Sequence, residues 1–389
     1  MRKTLFITLG ILTLLMVIGI WAYLFMYGTP KNPDEVFARF GIGGNEEIIP
    51  VALEDTRIDV TSESAPNVPK RLRQLTTRPV AGAAFDLDGI RYVEQGTGHI
   101  YHINLSTGEE TLVSGTTIPH TTQATFSQDS SMVAITSRES SGNTTVVGTI
   151  VTNEVTGGFT EGITLPAGAR EIAFGDATGT VNYLLTTNSG SASYAYNLNK
   201  KTSAQLFAIP LRDVHVLWGS PAYVYTTPTA FQNGYLYKIS GNELVYTTGS
   251  GSGLVAFRYS DGVVSTKTDG GKLVTTAQTY SGIETPQAFS FIPEKCVANP
   301  NQNSFAFCGV SNSRNTEVFP DDWYKGKLSY SDALWYMDIT TGAATPLSDF
   351  KTESGREIDV IQIGTNTEGT FIWFVNKNDN ALWMFDTTL

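Results

Sequence analysis

The feature that most constrains the fold is a short motif that recurs along most of the chain. In each copy an apolar residue precedes an aromatic residue, and a small polar residue follows three positions after the aromatic. The aromatics of the five clear copies are Tyr101, Tyr196, Tyr237, Trp335 and Trp383. They are 95, 41, 98 and 48 residues apart, so the two long intervals are each about twice a short one. One degenerate copy is therefore expected in each long interval.

The two missing copies are expected near Val147 and Ala277, where NTTVVGTIV and GKLVTTAQT are typical of strands. Seven units at roughly 40 to 50 residues match the period of four-stranded propeller blades. Helical repeats would show an apolar period of 3.6, which is absent. Charged residues make up only 16% of the chain, and 37 glycines accompany many aromatics, as short strands and tight turns require. The sequence predicts an all-β, seven-bladed β-propeller.

Closure of the ring needs one strand from the other end of the repeat region. The last unit has only three strands before Leu389, which would leave a bare edge beside the first blade. The segment 70–76, KRLRQLT, precedes the first unit and has the pattern of an extra strand. We predict that this N-terminal strand completes the seventh blade, so that the propeller comprises residues 70–389.

The N-terminal segment Thr4 to Tyr27 contains no charged residue and is long enough to cross a bilayer as a helix. Arg2 and Lys3 precede it, while acidic residues follow, so residues 1–3 are expected in the cytoplasm and the rest outside it. A cleaved signal peptide is the alternative, but the apolar run is longer than usual and lacks an A-x-A site. We interpret residues 4–27 as a transmembrane signal anchor in the plasma membrane.

Residues 28–69 are predicted to be a short helix followed by a stalk. Asn32 and Pro33 suit the start of a helix, and Gly41 suits its end. The remainder lacks sustained periodicity. The net charge is −11, and about −13 without Arg2 and Lys3, which disfavours nucleic acid and anionic lipid headgroups as partners. Acidity of this kind also keeps an exported protein soluble.

Two resemblances follow from local motifs. The stretch 126–134, FSQDSSMVA, resembles the F-S-P-D-G…I-A motif of TolB-like propellers, with Gln128 and Ser130 in place of Pro and Gly. That family implies a WD40-like propeller fold and periplasmic protein contacts, and no activity. The whole chain resembles uncharacterised single-span propeller proteins of small-genome bacteria. The segments that carry this resemblance are 73–85, 294–297 with Cys308, 320–326 and 331–335.

Cys296 and Cys308 are the only two cysteines. They lie on consecutive predicted strands around the turn Asn299-Pro300-Asn301, and an oxidising compartment would permit a disulfide between them. Two buried thiols are the alternative. A metal site at this pair is not expected, because no histidine is near in sequence.

The candidate binding segment is the long connection from Ser311 to Asp332, between the second and third strands of the sixth unit. Other units make this connection in a few residues, so the loop is expected to overhang one mouth of the central channel. Long loops on rigid scaffolds often carry function, and Trp and Tyr are common binding anchors. The alternative is that the aromatics pack against the blade and the loop only plugs the channel. The candidate residues are Phe319, Asp321, Asp322, Trp323, Tyr324, Lys325 and Tyr330.

No catalytic, metal or cofactor motif accompanies these features. Asp86-Leu87-Asp88-Gly89 lacks the further ligands of an EF-hand loop, and we interpret it as a turn between strands. The four histidines are scattered, and His99 and His102 are expected on opposite faces of one strand. No nucleophile elbow, zinc-binding helix or phosphate loop is present.

The sequence therefore favours a membrane-anchored protein-binding or scaffolding module of the cell envelope over an enzyme, with a further envelope protein as its partner and no cofactor. Two other functions stay open: a glycan or small-molecule receptor or hydrolase that uses the channel mouth, and a structural subunit of a larger assembly.

Overall fold

The computed structural model describes Leu14, Met16 and residues 70–389, except positions 141, 152–157, 176–178, 248–249 and 313–317. The chain divides into the units Met1–Asn67 and Val68–Leu389, and only the second is described at length. Apart from helical Leu14 and Met16, the predicted cytoplasmic end, anchor and stalk (1–3, 4–27 and 28–69) lie outside the described residues. Within the described residues, none of the helices has the length and apolarity to span a membrane.

Antiparallel strands dominate the described part of the chain, and we number them β1 to β29 in chain order. Their bounds are Leu72–Gln74, Val80–Phe85, Gly89–Glu94, Ile100–Asn104, Glu110–Ser114, Thr121–Phe126, Met132–Glu139, Gly142–Val151, Gly158–Thr164, Arg170–Phe174, Thr180–Thr187, Gly190–Asn197, Thr202–Ile209, Val214–Leu217, Tyr223–Thr226, Asn233–Gly234, Leu236–Ser240, Glu243–Tyr246, Gly251–Tyr259, Gly262–Asp269, Lys272–Thr279, Glu284–Pro286, Cys296–Ala298, Phe305–Ser311, Asp332–Asp338, Ala344–Asp349, Val360–Thr365, Phe371–Asn376 and Leu382–Asp386. Two short α-helices, α1 (Asp321–Tyr324) and α2 (Phe350–Ser354), and a 3₁₀ turn (Pro293–Lys295) complete the list of described elements.

The strands form seven sheets, which are the seven blades that the repeat predicts. Blades one to three are β2–β5, β6–β9 and β10–β13, and the fourth is β14, β15, β17 and β18. Blades five and six are β19–β22 and β23–β26, and β16 adds a fifth strand beside β19. Both degenerate repeat copies, in β8 and β21, are third strands of their blades, as predicted.

The seventh blade is closed by the N-terminal strand. It consists of β27, β28 and β29, with β1 paired antiparallel to β29. Leu72 faces Phe385 across this pair and is buried in one core cluster with Trp383 and Phe385. The predicted closure is confirmed, and it removes the free edge that three strands would leave.

The repeat motif has a physical explanation in the third strand of each blade. Its apolar residue faces a core cluster, and Ile100, Leu236, Leu334 and Leu382 are all fully buried. Its polar residue ends the strand and binds the next turn. The side chain of Asn104 accepts bonds from the backbone N–H groups of Ser106 and Thr107, and Asp338 and Asp386 bond their own turns in the same way. The motif thus combines core packing with a side-chain turn.

The predicted disulfide is present. Cys296 in β23 faces Cys308 in β24, with their Cα atoms 4.1 Å apart, and the two sulfurs are bonded. Both residues lie in the core cluster between blades five and six. The bond therefore joins the inner strand of the sixth blade to its second strand.

Candidate functional site

The two ends of the channel carry different connections. We call upper the face that carries the links between blades and the turns between second and third strands. The lower face carries the turns between first and second and between third and fourth strands. We call the long connection between β24 and β25 the sixth-blade loop (residues 312–331). Its described residues, 312 and 318–331, lie on the upper face, as predicted.

The sixth-blade loop contacts several blades on this face. The carboxylate of Asp321 accepts hydrogen bonds from the hydroxyl of Thr229 (3.1 Å) and the N–H of Ala230 (2.7 Å) in the fourth blade. Lys377, in the seventh blade, donates to the carbonyl oxygens of Trp323 and Leu328 at 2.6 and 2.9 Å. Hydrogen bonds therefore hold the loop to the fourth blade on one side and to the seventh blade on the other.

The candidate binding residues of the loop separate into two groups. Phe319, Trp323 and Tyr330 are buried in a cluster with Val255 and Ile292. In contrast, Tyr324 is 44% exposed and Lys325 reaches solvent beside it.

The two candidate aspartates, Asp321 and Asp322, are intermediate in exposure between these two groups. Asp321 is bonded into the fourth blade, and Asp322 is half-buried and 3.4 Å from the ammonium of Lys327. Tyr324, Asp322 and Lys325 therefore form the part of the candidate set that a partner would meet, while the largest aromatics anchor the loop.

A buried lysine and two aspartates lie beneath the loop. The ammonium nitrogen of Lys295 is 2.6 Å from Oδ2 of Asp332 and 2.5 Å from Oδ1 of Asp359. The side chains of all three are at most 1% exposed. Trp323 Nε1 donates to both oxygens of Asp359 at 3.2 and 3.0 Å, which fixes the loop to this cluster.

A second polar cluster lies in the upper channel between the third and fourth blades. Glu171, in the inner strand β10, accepts a 3.1 Å bond at Oε1 from His215 Nδ1 and a 3.0 Å bond at Oε2 from the N–H of Val216. Burial acts to raise the pKa of Glu171, but the bond and charge of His215 lower it overall. Burial likewise acts to lower the pKa of His215, and Glu171 raises it overall. The pair is therefore an ion pair between pH 4.5 and 6.5.

Glu294 extends this cluster from the link before the sixth blade. Tyr324 and Tyr225 both donate to its Oε1, at 2.7 and 3.3 Å, and the ring of Tyr225 stacks on His215 with centroids 5.1 Å apart. Burial raises the pKa of Glu294, although the Tyr324 bond and the His215 charge oppose this rise. Two carboxylates with opposite pKa shifts thus lie on either side of one histidine.

The Glu171–His215 pair predicts a pH-dependent contribution to stability. The pKa of His215 is raised above 6.5, so its contribution is complete below that pH and is lost as pH rises through the folded-state pKa. The pKa of Glu171 is lowered below 4.5, so its contribution is complete above that pH and is lost on acidification. The loss of stability in His215→Gln should therefore be largest between pH 4.5 and 6.5, as measured by denaturant unfolding at several pH values. The exposed His120→Gln is the control, and a difference that is flat with pH would contradict the assignment.

A β-bulge positions Glu171. The register of β10 against β11 shifts between Arg170 and Ala173, and Glu171 has a φ of +54°. The inner strands of blades one, two, five and seven also shift register near their upper ends. The bulge is thus a feature of the repeat, and in the third blade it places a carboxylate beside His215.

A funnel of about 1330 Å³ opens on the lower face. It lies at the turns of blades six, seven, one and two. Rings of Phe85, Phe126, Phe371 and Trp373 line it, and Leu87 at its rim is fully exposed. Part of its surface is therefore apolar, and the aromatic rings can pack against a ligand.

The charge of this funnel is strongly one-sided. Five carboxylates and a single guanidinium, that of Arg73, line it; the carboxylates are those of Asp86, Asp88, Asp129, Glu368 and Asp386. Asp86 is paired with Arg91 at 2.6 Å. In contrast, Asp129, Glu368 and Asp386 accept bonds from hydroxyl or amide groups. The lower funnel is thus a negative, aromatic-lined concavity.

Asp86, Asp88 and His102 bring their ligand atoms within 4.8 Å of one another at the edge of the funnel. Arg91 already supplies a positive charge to Asp86, and Asn104 Nδ2 donates to Asp88 at 3.0 Å. Residues 86–88 connect β2 to β3, in agreement with their interpretation as a turn. We therefore assign this group to the turn and not to a metal.

The residues of the two buried polar clusters on the upper face were not identified from the sequence. Lys295, Asp332 and Asp359 are distant in sequence and carry no motif. The one available signal was a lysine in the stretch FIPEKCV, which is apolar apart from Glu294 and Lys295, because a buried charge requires a partner. Glu171 and His215 meet across two blades, and no spacing rule relates them.

Similarity searches agree with the fold. No protein-family model and no curated protein sequence matches the chain. Among solved structures, a streptogramin B lyase is 14% identical with a TM-score of 0.52, covering 81% of this chain and 97% of that one. The β-propeller domain of the Trilobed protease from Pyrococcus furiosus is 9% identical with a TM-score of 0.51, covering 80% and 95%. The GH74 enzyme of Niastella koreensis is 10% identical with a TM-score of 0.56, covering 82% and 54%.

The shared property is the propeller fold. At these identities the neighbours carry no activity over to this chain, and the neighbours themselves are a lyase, a protease domain and a GH74 enzyme.

Proposed function

We propose that this protein is a membrane-anchored, extracytoplasmic binding module that takes up a cationic segment of an envelope protein in the lower funnel. The observation that carries the proposal is the combination of five lining carboxylates, one guanidinium and four aromatic rings in a single concavity. Negative charge attracts a basic partner and steers its approach, while the rings supply apolar contact. The predicted anchor in residues 4–27, with Arg2 and Lys3 before it, supports the location outside the cytoplasm.

The contacts at the upper face support this choice of surface. Trp323, Phe319 and Tyr330 are used to hold the sixth-blade loop and are not available as binding anchors. Tyr324 and Lys325 remain exposed and define the competing surface. At the lower face, Leu87 and Glu368 are both exposed at the funnel, so substitutions there leave the core intact.

The test is residue-resolved crosslinking of the full-length protein in its own membranes. The double variant Leu87→Ser with Glu368→Lys should weaken partner binding roughly tenfold, about 1.4 kcal/mol, and reduce its salt dependence. The matched control, Tyr324→Ala with Lys325→Ala at the upper face, should bind as the wild type does. Crosslinks at the lower turns that disappear in the first variant would support the proposal. Crosslinks around Tyr324 that disappear only in the second variant would refute the funnel and favour the sixth-blade loop.

A second candidate function is a glycan or small-molecule receptor or hydrolase that uses the upper channel. It is favoured by the opposite pKa shifts of Glu171 and Glu294, because general acid–base catalysis needs two such groups. An arginine cluster at the channel mouth would also favour this function, but the guanidinium of Arg170 donates to the carbonyl oxygens of Val214 and Arg212, both at 2.5 Å.

A panel of chromogenic glycosides and labelled glycans tests the second candidate. Turnover or binding that is lost in both Glu171→Gln and Glu294→Gln, with folding unchanged, would support it. Turnover that survives both substitutions would show that other residues carry the activity. A wild-type protein that neither turns over nor binds any member of the panel would refute the second candidate.

A further inference from the structure

The cluster beneath the sixth-blade loop places an amine and a carboxyl group in reactive proximity. Lys295 Nζ lies 2.6 Å from Oδ2 of Asp332, and neither side chain is more than 1% exposed. The rings of Tyr330 and Trp323 lie 4.8 and 5.3 Å from the same nitrogen and cover it. Two mutually reactive groups are thus held together and shielded from bulk solvent.

The two aspartates around Lys295 are held differently. Asp359 accepts bonds from Trp323 Nε1, from the N–H of Tyr330 (3.0 Å) and from the hydroxyl of Ser329 (3.1 Å). Its Oδ1 lies 2.5 Å from Lys295 Nζ, so these donors hold it in place to accept a proton from the ammonium.

Asp332 has fewer bonding partners. Its Oδ2 faces Lys295 and accepts a bond from the N–H of Val360 at 2.8 Å. Its Oδ1 is buried and has no hydrogen-bond partner among the described residues. Burial raises the pKa of Asp332, although Lys295 opposes this rise, which favours the neutral acid. A neutral carboxyl group with one unbound oxygen is an acceptor for an amine nucleophile, and that oxygen is free to leave.

We infer that Lys295 and Asp332 condense to an intramolecular isopeptide bond, with Asp359 as the proton acceptor. Asp359 takes one proton from the Lys295 ammonium, and the free amine attacks Cγ of Asp332. A bond forms between Nζ and Cγ, the bond between Cγ and Oδ1 breaks, and Oδ1 leaves as water. Of the four starting protons, three on the ammonium and one on the acid, two leave in the water, one stays on the amide nitrogen and one on Asp359. No oxidant, reductant or other reactant is needed.

The surroundings favour this step. Groups held in contact react as if at effective concentrations of roughly 10⁵ M or more. Burial raises the pKa of Asp332 and so favours the neutral acid that must react. Lys377, whose ammonium is 3.9 Å from Asp359, keeps a positive charge near that carboxylate while Lys295 loses its own.

The bond would lie next to the disulfide. Lys295 immediately precedes Cys296, which is joined to Cys308 in β24, whereas Asp332 begins β25. The two covalent links would connect the start of the sixth blade's inner strand to both its second and its third strand. The sixth-blade loop, which leaves from β24 and returns at β25, would then be closed by covalent bonds at its base.

Peptide mapping of the full-length, detergent-solubilised protein tests the inference after reduction and alkylation. An acylated Lys295 resists trypsin, so residues 273–314 should remain one peptide, joined to residues 328–351 with the loss of one water. Fragmentation should place the branch at Lys295 and Asp332. Cleavage after Lys295 with a free peptide 328–351 would refute the bond, and a branch to residues 357–377 would refute Asp332 as the acceptor.

Variants separate the reaction from the fold. Asp359→Asn should reduce the yield of the branched peptide roughly a hundredfold at equal times, because the proton acceptor is lost. Asp261→Asn, in the exposed turn between β19 and β20, is the matched control and should give the wild-type yield. Circular dichroism confirms that each variant is folded. A folded Asp359→Asn protein with full yield would refute the role of Asp359, while the wild-type peptide alone decides whether the bond exists.

Discussion

A propeller that starts at Thr77 should unfold or aggregate, whereas one that starts at Lys70 should stay folded. The longer chain retains β1, whose Leu72 is buried against Trp383 and Phe385. The shorter chain exposes that apolar surface and the free edge of β29.

The expected loss from this truncation is about 5 kcal/mol or more, comparable to the whole stability of many domains. It includes the bonds from the N–H groups of Leu75 and Thr76 to the carbonyl oxygen of Leu382. Size-exclusion chromatography and thermal unfolding by circular dichroism measure both chains. Equal elution volumes and equal midpoints would show that β1 does not close the ring.

The substitution Trp323→Ala should lower the free energy of unfolding by about 3 to 5 kcal/mol, since it removes a buried indole and leaves a cavity. It also removes the Nε1 donor from the buried carboxylate of Asp359. The neighbouring Tyr324→Ala is the matched control and should change stability by about 1 kcal/mol or less, because that ring is 44% exposed.

Denaturant unfolding of the two variants distinguishes the two interpretations of the loop. A large loss for Trp323→Ala means that the loop is part of the folded core of the upper face. If both variants unfold as the wild type does, the indole is not an anchor, and Trp323 becomes available again as a binding residue.

The blades and their closure were predictable because they depend on local patterns. A propeller blade repeats the same buried apolar position and the same turn-binding polar residue, so Ile100 with Asn104 and Leu382 with Asp386 mark equivalent strands. The strand count at the two ends then required a partner for β29. The disulfide was predictable for a similar reason, since Cys296 and Cys308 lie on adjacent strands of one hairpin.

The position of the sixth-blade loop was also predictable, but the roles of its residues were not. Its length and its place between second and third strands indicated the upper face. Whether Trp323 points to solvent or inward depends on Asp359 and Lys377, which belong to the next blade. No pattern within the loop contains that information.

The sequence by itself determined the repeat, the number of blades, the closing strand and the disulfide, because each depends on residues close in the chain or on a regular period. Only the tertiary structure decided which charges meet. Lys295 contacts carboxylates 37 and 64 residues away, and Glu171 contacts a histidine 44 residues away. The lower funnel likewise combines turns from four blades. Ring closure sets these distances, and a sequence pattern records neither the curvature of the ring nor the direction in which a side chain enters the channel.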